Sequence, residues 1–292
     1  MIIYLPWKHQ QSRVLSCRLV DSENIKYMNS IRDWVIAQRP SKDCSSHWWQ
    51  INSDKTVCIP EHISYVFNNI ATCLTITNMF HNHFKGYKID ILYEMNEIYV
   101  SAPTNVHKTS DEIFYTRHID GPYFYIPFAS CYRVIIGLDK NDEITTVFNM
   151  VPQEFTIHKG DVVGFDFHRE CHYIKKNPAF KNNDYRVVMK IHYCIYPRWA
   201  YPFGKLLGRL SVHYNKNFRN LFLYTISPKT WFQKLVAYYM ILTTKIVHDI
   251  EAYIGYNNIS YVILVWMISR LIWHDLFLYA TSFVHYSRLI DS

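Results

Sequence analysis

Between about residue 87 and residue 200 the chain is divided into six short strand-like runs, and this constrains its fold more than any other feature. The runs are Ile89 to Val100, Glu112 to Asp120, Tyr132 to Leu138, Ile144 to Val151, Asp161 to Phe167 and Tyr185 to Tyr196. Turn chemistry separates them: Gly121-Pro122, Asp139-Lys140-Asn141-Asp142 and Lys159-Gly160-Asp161. Short β-rich runs punctuated in this way suit an antiparallel barrel or sandwich. Helical patterns flank them. Pro60-Glu61-His62 opens a helix with proline in its first turn, and Tyr65, Val66, Ile70, Cys73, Leu74, Ile76 and Phe80 follow on a helical stripe that ends near His81-Asn82-His83. The expectation is an α+β chain in three parts. Residues 1–86 form a mixed, helical support region, 87–200 a β core, and 201–292 a helical C-terminal region.

Two segments of the β core carry chemistry. The first is Tyr115-Thr116-Arg117-His118-Ile119-Asp120-Gly121-Pro122; the second runs from Lys159 through His172 and is followed by Asp184-Tyr185-Arg186. His118 and Asp120 are two residues apart in a β-like run, so both face the same side while Ile119 faces away. His172 stands in a second apolar run, Val162 to Ile174. Two imidazoles and one carboxylate on one face of an ion leave three positions open, the arrangement of non-haem Fe(II) sites. Cys171, beside His172, is disfavoured as a ligand because adjacent strand residues face opposite ways. Arg186 opens the last strand, where a buried guanidinium needs an anionic partner.

These residues, with Tyr132-Arg133-Val134-Ile135-Ile136-Gly137-Leu138, Gly160-Asp161-Val162 and Phe165-Asp166, resemble the 2-oxoglutarate/Fe(II) dioxygenase superfamily, most of all its aspartyl/asparaginyl/prolyl β-hydroxylase group. The resemblance spans Lys88 to Pro197, roughly a third of the chain. It implies a double-stranded β-helix core and an enzyme that hydroxylates an Asp, Asn or Pro side chain of a peptide or protein. It also implies Fe(II) held by His118, Asp120 and His172, 2-oxoglutarate as co-substrate, and ascorbate as an optional reductant. Arg186 would pair with the far carboxylate of 2-oxoglutarate, with Arg133 as the second candidate for that role and Tyr115 as a further cofactor contact. Arg186 lies fourteen residues after His172, a long spacing filled by the polar insertion Lys175 to Asn183. The presence of Asp120 argues against a halogenase. The AlkB-type demethylases pair their co-substrate arginine with another six residues on; here that position is His192, which argues against a nucleic-acid substrate.

Eight glycines in 292 residues, and neither G-x-G-x-x-G nor G-x-x-x-x-G-K-[ST], weigh against a Rossmann fold or a P-loop. Seven scattered cysteines without a C-x-x-C read as reduced core residues. The start, Met1-Ile2-Ile3-Tyr4-Leu5-Pro6-Trp7, is too short and lacks the basic flank of a secretory signal, so the expected compartment is the cytoplasm.

The C-terminal region changes character. No acidic residue occurs between Tyr185 and His248, whereas ten lysines and arginines do, and a long apolar stretch, Ile259 to Val284, follows. Localised positive charge implies an anionic partner or surface. Arg270 and Asp275 interrupt the stretch, each costing about 2.5–3.5 kcal/mol at the centre of a bilayer. A soluble helical cap and a helix lying on a membrane are therefore favoured over a span. Gly204-x-x-x-Gly208 lies outside any apolar twenty-mer and carries no dimerisation signal. A lipid-directed hydroxylase, or a non-catalytic β module docking on anionic membranes, stands as the alternative reading.

Overall fold

The computed structural model describes residues 14–41, 45–51, 58–101, 117–122, 124–148, 151, 153–177, 185–218, 221, 228–255 and 258–274, apart from the side chains of 247, 248 and 252. Tyr115 and most of the run Glu112 to Asp120 lie outside them.

The elements run β1 (Leu15–Arg18), α1 (Ser22–Ala37), β2 (Ser46–Trp49), α2 (Glu61–Ala71), α3 (Leu74–His83), β3 (Tyr87–Ile91), β4 (Glu97–Ser101), β5 (Ser130–Gly137), β6 (Ile144–Phe148), β7 (Glu154–Phe155), β8 (Asp161–Asp166), β9 (His172–Lys176), β10 (Arg186–Pro197), α4 (Tyr201–Asn217) and α5 (Trp231–Ile254). A last helix, α6, covers 258–274. Seven strands form one antiparallel sheet in the order β1-β8-β5-β10-β4-β2, with β3 also paired to β10. A second, three-stranded sheet has the order β7-β6-β9.

Period-two alternation decides what each face of the large sheet meets. Tyr132, Val134 and Ile136 of β5 join Val187, Met189, Ile191, Tyr193 and Ile195 of β10 in one core, against Met28, Ile31 and Val35 of α1, Phe67 and Ile70 of α2, and Phe80 of α3. Each such side chain, fully buried, contributes about 1.5–3 kcal/mol. The Asp21 side chain caps α1 by accepting from the Asn24 amide at 2.7 Å, which fixes where that helix starts.

The intervening residues of β5, β8 and β10 face inward. There Val163 and Phe165 of β8 pack with Phe148 of β6, across from the small sheet. One end of the inner face is closed by α4: Leu207 packs with Cys131, Phe167, Cys194 and Tyr196.

The structure refines three expected elements. The run Ile89 to Val100 divides into β3 and β4 around a short 3-10 turn, Tyr93–Met95. The division lies opposite His192, whose amide donates to the Asn96 side chain at 2.8 Å and whose carbonyl accepts from the Leu92 amide. The run Val162 to Ile174 divides between the two sheets as β8 and β9. The single helix expected after Pro60 breaks at Thr72-Cys73 into α2 and α3, with Cys73 extended. The 1–86 region also supplies β1 and β2 to the large sheet, a contribution that its four-residue strands left unmarked.

Candidate metal centre

His118, Asp120 and His172 meet between the two sheets. His172 is the first residue of β9, and the 117–120 segment is tied to it by a reciprocal backbone pair: His118 and His172 each donate to the other's carbonyl at 2.9 Å. The expected strand around His118 is thus a single bridge among the described residues. It suffices to put both imidazoles on one side, with ring centroids 4.5 Å apart. Asp120 follows two residues later. Its carboxylate oxygens lie 3.7 Å from His118 Nε2 and 3.6 Å from His172 Nε2. One ligand atom from each residue falls within 4.8 Å of the others. Cys171 is not among them.

The surroundings prepare these groups as ligands. His172 Nδ1 donates to the Glu170 carbonyl at 3.2 Å, leaving Nε2 with its lone pair turned toward Asp120. Phe165 and Phe148 pack against the ring, at 4.7 and 5.7 Å between centroids. Burial lowers the His172 imidazole to about 4, against the pull of Asp120, so the ring is neutral near pH 7. Burial alone would raise the Asp120 carboxyl. The Arg133 guanidinium and the two imidazoles outweigh it and hold the group well below the usual carboxylate range. The neutral His172 imidazole, the His118 imidazole and an ionised Asp120 carboxylate, buried and converging, form a donor set that fits Fe(II) or a similar first-row ion.

A row of polar side chains continues along the inner face. Arg133 of β5 donates from Nη1 to Asp120 Oδ2 at 2.6 Å and from Nε to His192 Nε2 at 2.9 Å, and its guanidinium lies 4.6 Å from the centre of the Phe167 ring. His192 is driven well below its ordinary value by burial and by Arg133. Its Nδ1, which carries the proton in that tautomer, is buried without a hydrogen-bond partner among the described residues. Two residues along β10, Lys190 Nζ lies 3.1 Å from Glu97 Oε1 and 3.8 Å from the centre of the Tyr99 ring. Glu97 Oε2 is in turn 2.8 Å from His47 Nδ1. Arg186 shares this face but stands ~13 Å further along the strand than Lys190, at about 3.3 Å per residue.

A second polar cluster holds the 117–122 segment from behind. His168 Nδ1 donates to the Pro122 carbonyl at 2.7 Å, and Nε2 accepts from the Ser211 hydroxyl of α4 at 2.7 Å. The Gly121 amide donates to the Phe167 carbonyl at 3.0 Å. A Cβ at Gly121 would lie 2.5 Å from the Phe167 ring and 2.6 Å from His168 Nδ1, so glycine is what lets this segment approach.

Of the residues singled out from sequence, His118, Asp120, His172 and Arg133 come together. Arg186 shares the face of Lys190 and His192 at a distance along β10, and Tyr115 is outside the described residues. Sequence reading did not single out Lys190, His192 or Glu97 as site residues. A signal for two of them existed: Lys190 and His192 are polar residues at even spacing from Arg186 in an otherwise apolar strand.

No family model matches the sequence, and no curated protein matches it. Solved structures do resemble the chain at low identity. One is the non-haem alpha-ketoglutarate-dependent carbocyclase SnoK from nogalamycin biosynthesis, at 12% identity and a TM-score of 0.43, covering 64% of this chain and 80% of that one. A Pseudomonas putida prolyl-4-hydroxylase is 10% identical with a TM-score of 0.38 and covers 64% and 93%. The viral collagen prolyl hydroxylase of Paramecium bursaria Chlorella virus-1 is 12% identical with a TM-score of 0.36 and covers 63% and 91%.

Proposed function

We propose that this chain is an Fe(II)- and 2-oxoglutarate-dependent oxygenase, built on a double-stranded β-helix, that hydroxylates an Asp, Asn or Pro side chain of a peptide or protein. The observation that carries the reading is the buried convergence of His118, Asp120 and His172 within 4.8 Å. The substrate class rests on the likeness of residues 88–197 to the β-hydroxylase group. With Fe(II) and the keto acid bound, the centre would supply the oxidant for C–H hydroxylation: of the two atoms of dioxygen, one would enter the substrate hydroxyl and the other succinate, as 2-oxoglutarate loses carbon dioxide.

The residues divide the work. His118, Asp120 and His172 would hold the ion and leave its remaining positions to reactants. Arg133 fixes the Asp120 carboxylate and keeps it ionised. His192 offers its buried Nδ1–H to an acceptor. Lys190, with its charge held in place by Glu97 and Tyr99, is a candidate for anchoring the far carboxylate of the keto acid, beside Arg186 and Arg133. The phenylalanines at 148 and 165 pack on His172 and keep bulk water from it.

The deciding experiment measures Fe(II) binding and succinate formation from 2-oxoglutarate in the absence of any prime substrate. The expected result is slow, iron-dependent turnover that Asp120→Ala and His172→Ala abolish. No iron binding and no succinate would make the chain a non-catalytic β module instead. The carboxylate anchor is decided by 2-oxoglutarate affinity. Lys190→Ala weakens it by at least tenfold if Lys190 is the anchor, and Arg186→Lys does so if the forked guanidinium of Arg186 is.

A further inference from the structure

The last two helices, α5 and α6, are covered by little of the rest of the described residues. Among the described side chains of α5, only Ala237 and Glu251 are buried; in α6, none beyond Ser260 is. The exposed residues are large and apolar. Trp231 is 76% exposed, Tyr253 84% and Trp273 70%, and Leu235, Val265 and Trp266 each exceed half. A monomeric soluble protein rarely leaves so continuous an apolar surface bare. A helix that is apolar around its circumference needs either a protein core or a lipid environment.

Charge decides between these covers. Residues 198–274 carry nine lysines and arginines against Asp249 and Glu251. Their net charge of +7 equals that of the whole chain, so the other residues balance to zero. The cations at 229, 234, 245 and 270 are exposed on or beside the apolar helices. A second copy of the chain would bring the same positive charge against itself. An anionic bilayer complements it and also solvates the tryptophans and tyrosines at headgroup depth.

Crossing the bilayer is a separate matter. At 24 residues, or ~36 Å, α5 matches a bilayer in length, but it carries Lys234, Lys245, Asp249 and Glu251. Among the described residues no helix is both long and apolar enough to span. We infer that α5 and α6 form a surface that lies in the interface of an anionic phospholipid bilayer, with the exposed lysines on the headgroups and the aromatic and aliphatic side chains among the acyl chains. The first turn of α6 joins this surface to the core. The Ser260 hydroxyl lies 3.1 Å from the Tyr125 hydroxyl, and Tyr261 packs on Phe128 with ring centroids 5.2 Å apart. Both partners lie in the segment that leads from Asp120 to β5.

The test uses the full chain and two kinds of vesicle, phosphatidylcholine alone and phosphatidylcholine with phosphatidylserine. Salt is set at about 0.01 M and about 1 M, where the screening length is about 30 Å and about 3 Å. The expected result is sedimentation with the anionic vesicles at low salt, release at high salt, and a blue shift of tryptophan emission on binding. Lys229→Gln, Lys234→Gln and Lys245→Gln together lower the affinity about 100-fold, from ~5-fold per lysine at the membrane surface. These positions are exposed, so the variant retains its fold and its far-ultraviolet circular dichroism. Equal binding to both vesicles, or no change in the triple variant, overturns the electrostatic docking. Sedimentation that survives alkaline carbonate overturns surface attachment in favour of a span. A protein that ignores both vesicles and runs as a dimer in sedimentation velocity shows that a second copy covers the helices.

Discussion

Arg133 is the residue on which the centre turns, because it touches the Asp120 carboxylate, the His192 imidazole and the Phe167 ring at once. Removing one member of a buried pair leaves the other charge uncompensated and costs about 3–5 kcal/mol. Substitutions that disturb the partners of a metal ligand lower affinity by roughly 10–100-fold. Arg133→Gln is therefore expected to keep the three ligands yet bind Fe(II) 10- to 100-fold more weakly by anaerobic titration; unchanged affinity would remove Arg133 from the site's function. His168 permits a prediction about pH. Burial holds it neutral down to about 4, whereas an unfolded histidine titrates near 6.5. Because the folded value is depressed, the stability is present above pH 6.5 and is lost as pH falls from there toward 4, at about 1.4 kcal/mol per unit. Between pH 7.5 and 5, urea denaturation of the parent protein should lose about 2 kcal/mol more than that of His168→Gln. Equal losses would show that His168 is solvated. Neither residue had this role marked in the sequence: Arg133 was expected only as the second candidate for the 2-oxoglutarate carboxylate, and His168 was not singled out. What distinguishes them is a partner distant along the chain, Asp120 for one and Ser211 for the other.

At the scale of elements, α4 shows how a sequence signal acquires its meaning only from packing. Gly204 and Gly208 are four apart, and outside an apolar twenty-mer they signal no helix dimer. The structure uses them within one chain, against β10. A Cβ at Gly204 would stand 2.0–2.4 Å from the Tyr196 ring, while Gly208 lies beside Cys194 and Leu92. Tyr196 has little freedom to yield, since its hydroxyl donates to Asp90 and its side chain is buried. Gly204→Ala is expected to push α4 off β10 at a cost of about 1–3 kcal/mol, the usual penalty of overpacking. It should also loosen the Ser211–His168 contact, so thermal unfolding falls and the His168-dependent pH slope shrinks with it. A variant as stable as the parent would mean that the helix slides without strain. Strand existence was legible because alternation in Tyr132 to Leu138 and Tyr185 to Tyr196 is local. The divisions of the runs at Leu92–Asn96 and Phe167–Cys171 were not. They arise from bonds to His192 and from the passage between sheets, which a single run of apolar letters does not encode.

For the whole molecule, the candidate centre is also a clasp. His172 begins a strand of the small sheet, and Asp120 is held to Arg133 of the large sheet. The 117–122 segment carrying His118 is tied at one end to His172 and at the other, through Pro122 and His168, to α4. The three candidate ligands were legible because the spacing of His118 and Asp120, with a strand-borne His172, suggests a facial set. Their role in joining layers was not, because it depends on which sheet each half of the run Val162 to Ile174 enters. An ion bound by all three meets its ligands only when both sheets and α4 are assembled, so binding is linked to global folding. A divalent cation at 100 times its dissociation constant then adds about 2.7 kcal/mol. For a chain of this length that raises Tm by roughly 5–8 °C, at about 2–3 °C per kcal/mol. Differential scanning fluorimetry of the metal-free protein, with Mn(II) as a redox-stable probe, should show a shift of this size. It should vanish with the chelator EDTA and be absent in Asp120→Ala/His172→Ala. A shift that persists in the double variant would place the stabilising ion elsewhere. No shift in the parent protein, despite measured binding, would mean that the three ligands converge without the layers being joined.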